Sequence, residues 1–380
     1  MDDGLTLREA APEDLVLLRA WTESSAGPQA AAELARHLAR PRYRPGFTLL
    51  AERAGRVAGF ALLAHERLGL GQATLEIGRL AALVAPDDVL LEGLLGEALR
   101  VLSEQGLPFV TLHGQATRFE AFGFAPVRYQ ARVDLPPVTA AAPVLRPVEP
   151  DDQETVAALY AACYADLPLH QVRVAPDWRA WLAGPLRVLL LDDRRGRAAA
   201  YAALDDAGLV VEAAAADAGV ARTLLAALVA TDAGTLALPP QHRVAQAALL
   251  LGGTARIAAA PPGTPAELAG VVDLPGALAA LAPELARRVA GSHYAGWRGN
   301  LAIETAAERI ALAFAPGQVG LAADNTPAGI RLRNVTLPAL AQLCLGYRPA
   351  ADLRASGGLA CDDADLGLID VVFPTLMPCG

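Results

Sequence analysis

Two side chains of this 380-residue chain have the type and setting for proton transfer. His113 closes the apolar run Pro108-Phe109-Val110-Thr111-Leu112-His113, which reads as a strand. An imidazole at a strand end titrates near neutral pH and can act as acid or base, although a single histidine also serves as a packing residue. Glu76 lies on a long apolar strand-like run and is a second carboxylate base candidate, although an outward charge on a half-buried strand is also commonplace.

Composition narrows the chemistry. All 32 basic residues are Arg, so there is no lysine for a Schiff base or for a Walker loop. The 41 acidic residues bring the net charge to -9, which argues against an extended phosphate-binding face for nucleic acid and favours a small cationic amine as partner. Cys163, Cys344, Cys361 and Cys379 form no CxxC pair and have no His at metal spacing, so no metal site is expected and the thiols read as reduced, as in a cytoplasmic protein. No run of about 18 apolar residues is uninterrupted, and the N-terminus lacks a signal-peptide pattern, so membrane spanning is not expected.

The elements that must position these groups are organised by an internal repeat. Leu7-Arg8-Glu9-Ala10-Ala11-Pro12-Glu13-Asp14 has the form of Leu145-Arg146-Pro147-Val148-Glu149-Pro150-Asp151-Asp152. Each predicts a short strand, a turn at proline, a capping Asp and an apolar-periodic helix, over 15–21 and 156–164. The hairpin phrase Gly55-Arg56-Val57-Ala58-Gly59-Phe60-Ala61 returns as Gly196-Arg197-Ala198-Ala199-Ala200-Tyr201-Ala202, each after an apolar strand, 48–51 and 188–191. Two echoes in the same order predict two copies of one α/β unit, 1–140 and 143–274, joined by a proline-rich linker. The remaining segment, 275–380, predicts a helix over 276–289, strands over 300–304, 309–314, 319–322 and 330–335, and helices over 338–344 and 366–373.

The first copy's order, strand, helix, helix, hairpin, long strand, helix, strand, helix, strand, carries the landmarks Leu80-Ala81-Ala82-Leu83-Val84-Ala85-Pro86 and Arg118-Phe119-Glu120-Ala121-Phe122-Gly123-Phe124. It resembles the GNAT superfamily of acetyl-CoA-dependent N-acetyltransferases. With the second copy and the phrases Leu337-Pro338-Ala339-Leu340-Ala341-Gln342-Leu343-Cys344-Leu345-Gly346-Tyr347 and Ile369-Asp370-Val371-Val372-Phe373-Pro374, the chain is similar to the enhanced-intracellular-survival acetyltransferases. The implied fold class is α/β (α+β): two tandem GNAT-like mixed-sheet domains, the second degenerate, followed by a sterol-carrier-protein-like domain.

That resemblance implies an acetyl-CoA-dependent N-acetyltransferase acting on a small amine, aminoglycoside-like or polyamine-like, in a homo-oligomer, a trimer or hexamer. It implies that Ala82, Leu83 and Val84 pair with the pantetheine amides, that Gly93 and Leu94 belong to the pyrophosphate loop, and that the C-terminal carboxylate, here on Gly380, is a base. Two positions depart from the family pattern. The loop Asp87-Asp88-Val89-Leu90-Leu91-Glu92 is acidic and apolar where the family is basic, and Phe119 stands where a Tyr acid is expected, with His113 and Tyr129 the nearest replacements. These departures support an alternative, a catalytically degenerate scaffold that binds a small ligand or partner.

Overall fold

The computed structural model describes residues 5–40, 43–136, 143–231, 233–259, 261, 263–323, 326–327 and 329–376. The first unit begins with strand β1 (Leu5–Glu9) and helix α1 (Asp14–Leu38), which kinks at Gly27 where φ is 88° and Pro28 follows. Strands β2 (Thr48–Arg53), β3 (Arg56–Leu70) and β4 (Ala73–Val84) form an antiparallel meander. Helix α2 (Asp88–Glu104) crosses to β5 (Phe109–Gln115), which runs parallel to β4. A short helix α3 (Ala116–Phe119) then leads to β6 (Ala125–Pro126).

The middle of β3, Phe60 through Ala64, is buried on both faces, so it is continuously apolar rather than alternating. One face is covered by α2 through Leu90, Leu91, Leu94, Leu95, Ala98 and Leu102. Gly78 of β4 is small because a Cβ there would stand 2.6 Å from Leu102 Cδ2. The other face packs against α1 at one end and against the C-terminal segment at the other.

The repeat is visible in side chains. Arg8 bonds Asp14 at the start of α1 (Nη1–Oδ2 2.5 Å) and Glu52 at the end of β2 (Nη2–Oε1 2.5 Å). Arg146 does the same in the second copy, reaching Asp152 (2.7 Å) and Asp192 (2.8 Å). Strands Arg187–Asp192, Ala198–Leu204 and Val210–Ala215 repeat the meander, and helix Ala218–Val229 repeats α2.

The two sheets are stitched together by exchange. Pro265–Val271 enters the first sheet, antiparallel between β5 and β6, while β7 (Gln130–Asp134) enters the second between Thr254–Ala258 and Thr235–Leu236. The C-terminal segment forms a four-stranded sheet backed by helix Leu274–Ala290, while its helix Leu337–Cys344 packs on Pro265–Val271 and β6 of the first sheet. It docks on the first unit where Tyr129 stacks on Tyr347, ring centroids 4.5 Å apart, and donates its hydroxyl to the Tyr347 carbonyl at 3.0 Å. Among the described residues no helix is long and apolar enough to cross a membrane.

Candidate active site

The first sheet opens between β4 and β5. The register of β3 with β4 slips at Leu62/Leu63, which pair with Ala82 and Leu80, leaving Ala81 as an extra residue in β4. Such a bulge bends its strand and ends pairing on the far side. Parallel pairing of β4 with β5 accordingly runs from Ile77–Phe109 to Leu80–Leu112 and stops. Beyond it, Ala82, Leu83 and Val84 continue β4, half-buried, while β5 follows Pro265–Val271 to its end. An extended ligand can add to such an open strand edge through backbone hydrogen bonds.

At the mouth of this gap stands the N-terminus of α2. Asp87 caps it, accepting from Leu90 N at 2.9 Å, and Arg53 Nη1 donates to the same carboxylate at 3.0 Å. The Leu90 amide and Arg53 together hold the Asp87 carboxyl below the usual carboxylate range. Helix α2 begins at Asp88, so the loop expected to extend to Gly93 ends at Asp87. This corrects the expected role of Gly93 and Leu94: both lie on the helix's second turn, where backbone N–H groups bond within the helix. Leu94 is fully buried, and the missing Cβ of Gly93 admits Leu7 of β1. From the other arm of the gap Arg118, in α3, reaches across to the Ala85 carbonyl (Nη2–O 3.4 Å).

The faces of the sheet sort the candidate bases. Arg79, Thr111 and His113 share one face with Glu66 and with Glu267, which pairs in register with His113. Glu76 points to the opposite face, where Arg67 Nε donates to it at 2.6 Å and His65 Nε2 bonds its other oxygen. The structure therefore does not bring His113 and Glu76 together. Gly380 lies outside the described residues. Phe119 is a core side chain, edge-on to Phe124 at 6.2 Å and pressed on Gly114, where a Cβ would stand 2.7 Å from its ring. Tyr129 is engaged in docking the C-terminal segment, which answers the expectation that it replaces the missing acid.

On the face that carries Arg79 and Thr111, a cavity of about 170 Å3 lies between the first sheet and the second unit. Glu66, Arg79, Thr111 and Glu267 wall one side, and Glu212 and Arg173 are on the other. Arg173 is held by Glu212 (2.7 and 2.9 Å) and lies over Tyr160, Trp178 and Trp181, 4.7–4.9 Å from their ring centroids. The Trp178/Trp181 pair, spaced i, i+3, thus packs around a buried cation. Sequence reasoning missed Glu267 because it reaches this sheet from more than 150 residues beyond β5; a charge inside the apolar run Ile77-Gly78-Arg79-Leu80 was the available signal for Arg79.

In the second copy the equivalent gap is shut. Arg243 donates to the carbonyls of Ala215 (2.6 Å) and Ala216 (3.0 Å), where the strand that matches β4 ends, and to that of Ala162 (3.4 Å) in the helix Gln153–Tyr164.

No protein-family model and no curated protein matches this sequence. Solved structures do. A GCN5-related N-acetyltransferase from Kribbella flavida superposes with TM-score 0.74 at 19% identity, covering 98% of each chain. One from Anabaena variabilis gives 0.73 at 14% identity over 97% of each. The Eis protein of Mycobacterium abscessus gives 0.64 at 15% identity over 98% of this chain and 97% of its own. The chain has the GCN5-related N-acetyltransferase fold. The match runs the full length, so the tandem mixed-sheet architecture with its C-terminal segment is shared with the Eis protein. In this GNAT frame the bulge at Ala81 and the parting after Leu80–Leu112 fall on the first copy, while the second copy supports it and supplies Pro265–Val271.

Proposed function

We propose that the protein is an acetyl-CoA-dependent N-acetyltransferase of a small amine. One observation carries this reading: the last residue pair before the strands part, Leu80–Leu112, directly follows Arg79–Thr111, which wall the cavity. A ligand in the cavity and a thioester in the gap would stand about one strand residue, ~3.3 Å, apart along the sheet. The residues fit the pantetheine arm at Ala82, Leu83 and Val84, and they fit the diphosphate less well, because Asp87, Asp88 and Glu92 are acidic and Arg118 is the cation at the opposite arm.

Acetyl-CoA supplies an activated acyl group, whose carbonyl accepts the amine's lone pair as the C–S bond breaks and the thiol departs. Glu267 and Glu66 hold the amine as a hydrogen-bond donor at the cavity wall. His113, exposed and beside Glu267 on the same face though outside the cavity lining, takes the proton released as the N–C bond forms and returns one to the departing sulfur.

Acetyl-CoA is expected to raise the melting temperature, and adding an amine is expected to release free thiol. His113→Ala should lower kcat at least tenfold with little change in acetyl-CoA affinity. Absence of any thermal shift at millimolar acetyl-CoA would sink the reading. A second reading, ligand binding without transfer, is favoured by the self-capped α2 N-terminus at Asp87; it predicts thermal shifts with no thiol release.

A further inference from the structure

The cavity wall holds a polar group that the fold leaves unused. Thr111 is only 5% exposed, lines the cavity, and its Oγ1 has no hydrogen-bond partner among the described residues. A buried hydroxyl without a partner is destabilising, so folding alone does not account for it. Beside it, Arg79 Nη1 stands 3.7 Å from both Glu66 and Glu267, too far for a direct hydrogen bond to either. At that separation the three still attract as ion pairs, and Glu66 also faces Arg40 at 3.6 Å, so none is fastened by a short bond that a ligand would have to break.

Charge balance decides what fits between them. Three carboxylates, Glu66, Glu212 and Glu267, and three guanidiniums, Arg79, Arg128 and Arg173, line the cavity. Glu212 is already committed to Arg173 at 2.7 Å. A polycation would meet Arg79 at close range as like charge in a partly desolvated site. A molecule bearing one ammonium and one carboxylate meets partners at both ends. At about 170 Å3 the cavity holds far more than one water, which needs only ~10–15 Å3.

We infer that this cavity binds a zwitterionic amine of amino-acid type, its ammonium on Glu66 and Glu267 and its carboxylate on Arg79 and the Thr111 hydroxyl. This deepens the transferase reading, since it names the acceptor class of the same site, and it replaces the cationic acceptor that net charge alone suggests.

The test is binding to the full-length protein without acetyl-CoA, by calorimetry and thermal shift. The probes are L-alanine, L-leucine and L-glutamine, with leucinamide and N-acetyl-leucine lacking one charge each, and spermidine as the polycation. At least one free amino acid should bind, and the amide, the N-acetyl compound and spermidine should bind at least tenfold more weakly than it does. Thr111→Val, which removes only an unpartnered hydroxyl, should fold with unchanged or higher melting temperature while weakening that amino acid about fivefold, the worth of one hydrogen bond. Tighter binding of spermidine, failure of all three amino acids, or undiminished binding by the Val variant would overturn the inference. Acetyl-CoA titrated separately distinguishes the two failures: a cofactor shift without amino-acid binding sinks only this inference, and amino-acid binding without a cofactor shift sinks only the transferase reading.

Discussion

Arg118 spans the open gap of the first copy with a single 3.4 Å contact to the Ala85 carbonyl, whereas its counterpart in the second copy, Arg243, is fastened to three carbonyls, the shortest contact 2.6 Å. A 3.4 Å contact on an exposed guanidinium is at the weak end of hydrogen bonding and easily exchanged for another acceptor. Two contacts of 2.6 and 3.0 Å to Ala215 and Ala216, where a buried strand ends, are not. The same device is a loose strap in one copy and a closure in the other, which explains how a duplicated unit comes to have one accessible strand edge.

Arg118→Ala should therefore weaken CoA binding about tenfold, the scale of one charge-assisted hydrogen bond to a phosphate. The effect should shrink as salt rises, and the melting temperature of the ligand-free protein should stay within error. Calorimetric titration of CoA at two ionic strengths checks both. Equal affinities for variant and parent would place the diphosphate elsewhere.

Arg243→Ala should behave in the opposite way. It removes donors from the Ala215 and Ala216 carbonyls and opens the crevice between helix Gln153–Tyr164 and the second sheet, so a loss of roughly 1–3 kcal/mol in urea unfolding is expected, with no change in CoA affinity. A variant as stable as the parent would show that water replaces the arginine at no cost.

The contrast between these arginines also marks how far sequence reading reaches here. The repeat was legible because Arg8 and Arg146 each need a carboxylate six residues on, at Asp14 and Asp152, and that spacing survives in the sequence. The elements of the last segment were legible too: the expected strand over 309–314 is found at Arg309–Ala315, and the helix over 276–289 at Leu274–Ala290. Gly93 and Leu94, expected in a loop, lie inside a helix that starts at Asp88, because Asp87 rather than a glycine loop sets its first turn. The exchange of Pro265–Val271 for β7 carries no local signature, since either strand's pattern satisfies either sheet. Glu267 inherits that invisibility, and so does the cavity, whose walls come from two units.

Glu284 pins the β3–β4 turn to the C-terminal segment. Its side chain is 2% exposed, accepts from Gln72 N at 3.0 Å, and is held by Arg287 (2.6 Å) and Arg288 (2.8 Å). Gly71 must lack a side chain: φ is +57°, and a Cβ would stand 2.1 Å from Glu284 Oε2. Gly71→Ala should cost about 2 kcal/mol or more. Glu284→Ala should cost about 3–5 kcal/mol, because it leaves Arg288 buried without its carboxylate. Urea unfolding of both variants checks the values, and a change below 1 kcal/mol in either would mean the turn is not anchored here.

Acid should destabilise the protein before its carboxylates titrate. Burial pushes His37 and His242 down from the ordinary 6.5 to about 4, with Arg40 and Arg243 respectively adding like charge. From about a unit above pH 6.5 both rings are neutral folded and unfolded, so stability is flat there. Between pH 6.5 and 4 the unfolded chain binds two protons that the folded chain refuses, so stability falls with pH, by roughly 1.4 kcal/mol per unit for each ring. Below about 4.5 a second loss begins as Glu284, held at about 2 in the folded state by its arginines and the Gln72 amide, becomes protonated on unfolding. Denaturant midpoints at pH 8.5, 7.5, 5.5 and 4.5 should be level for the first pair and then drop. His242→Gln, whose parent ring is buried with Nε2 unpartnered among the described residues, should roughly halve the slope between 6.5 and 4.5. A slope unchanged by that substitution would show that His242 is not among the groups that refuse the proton.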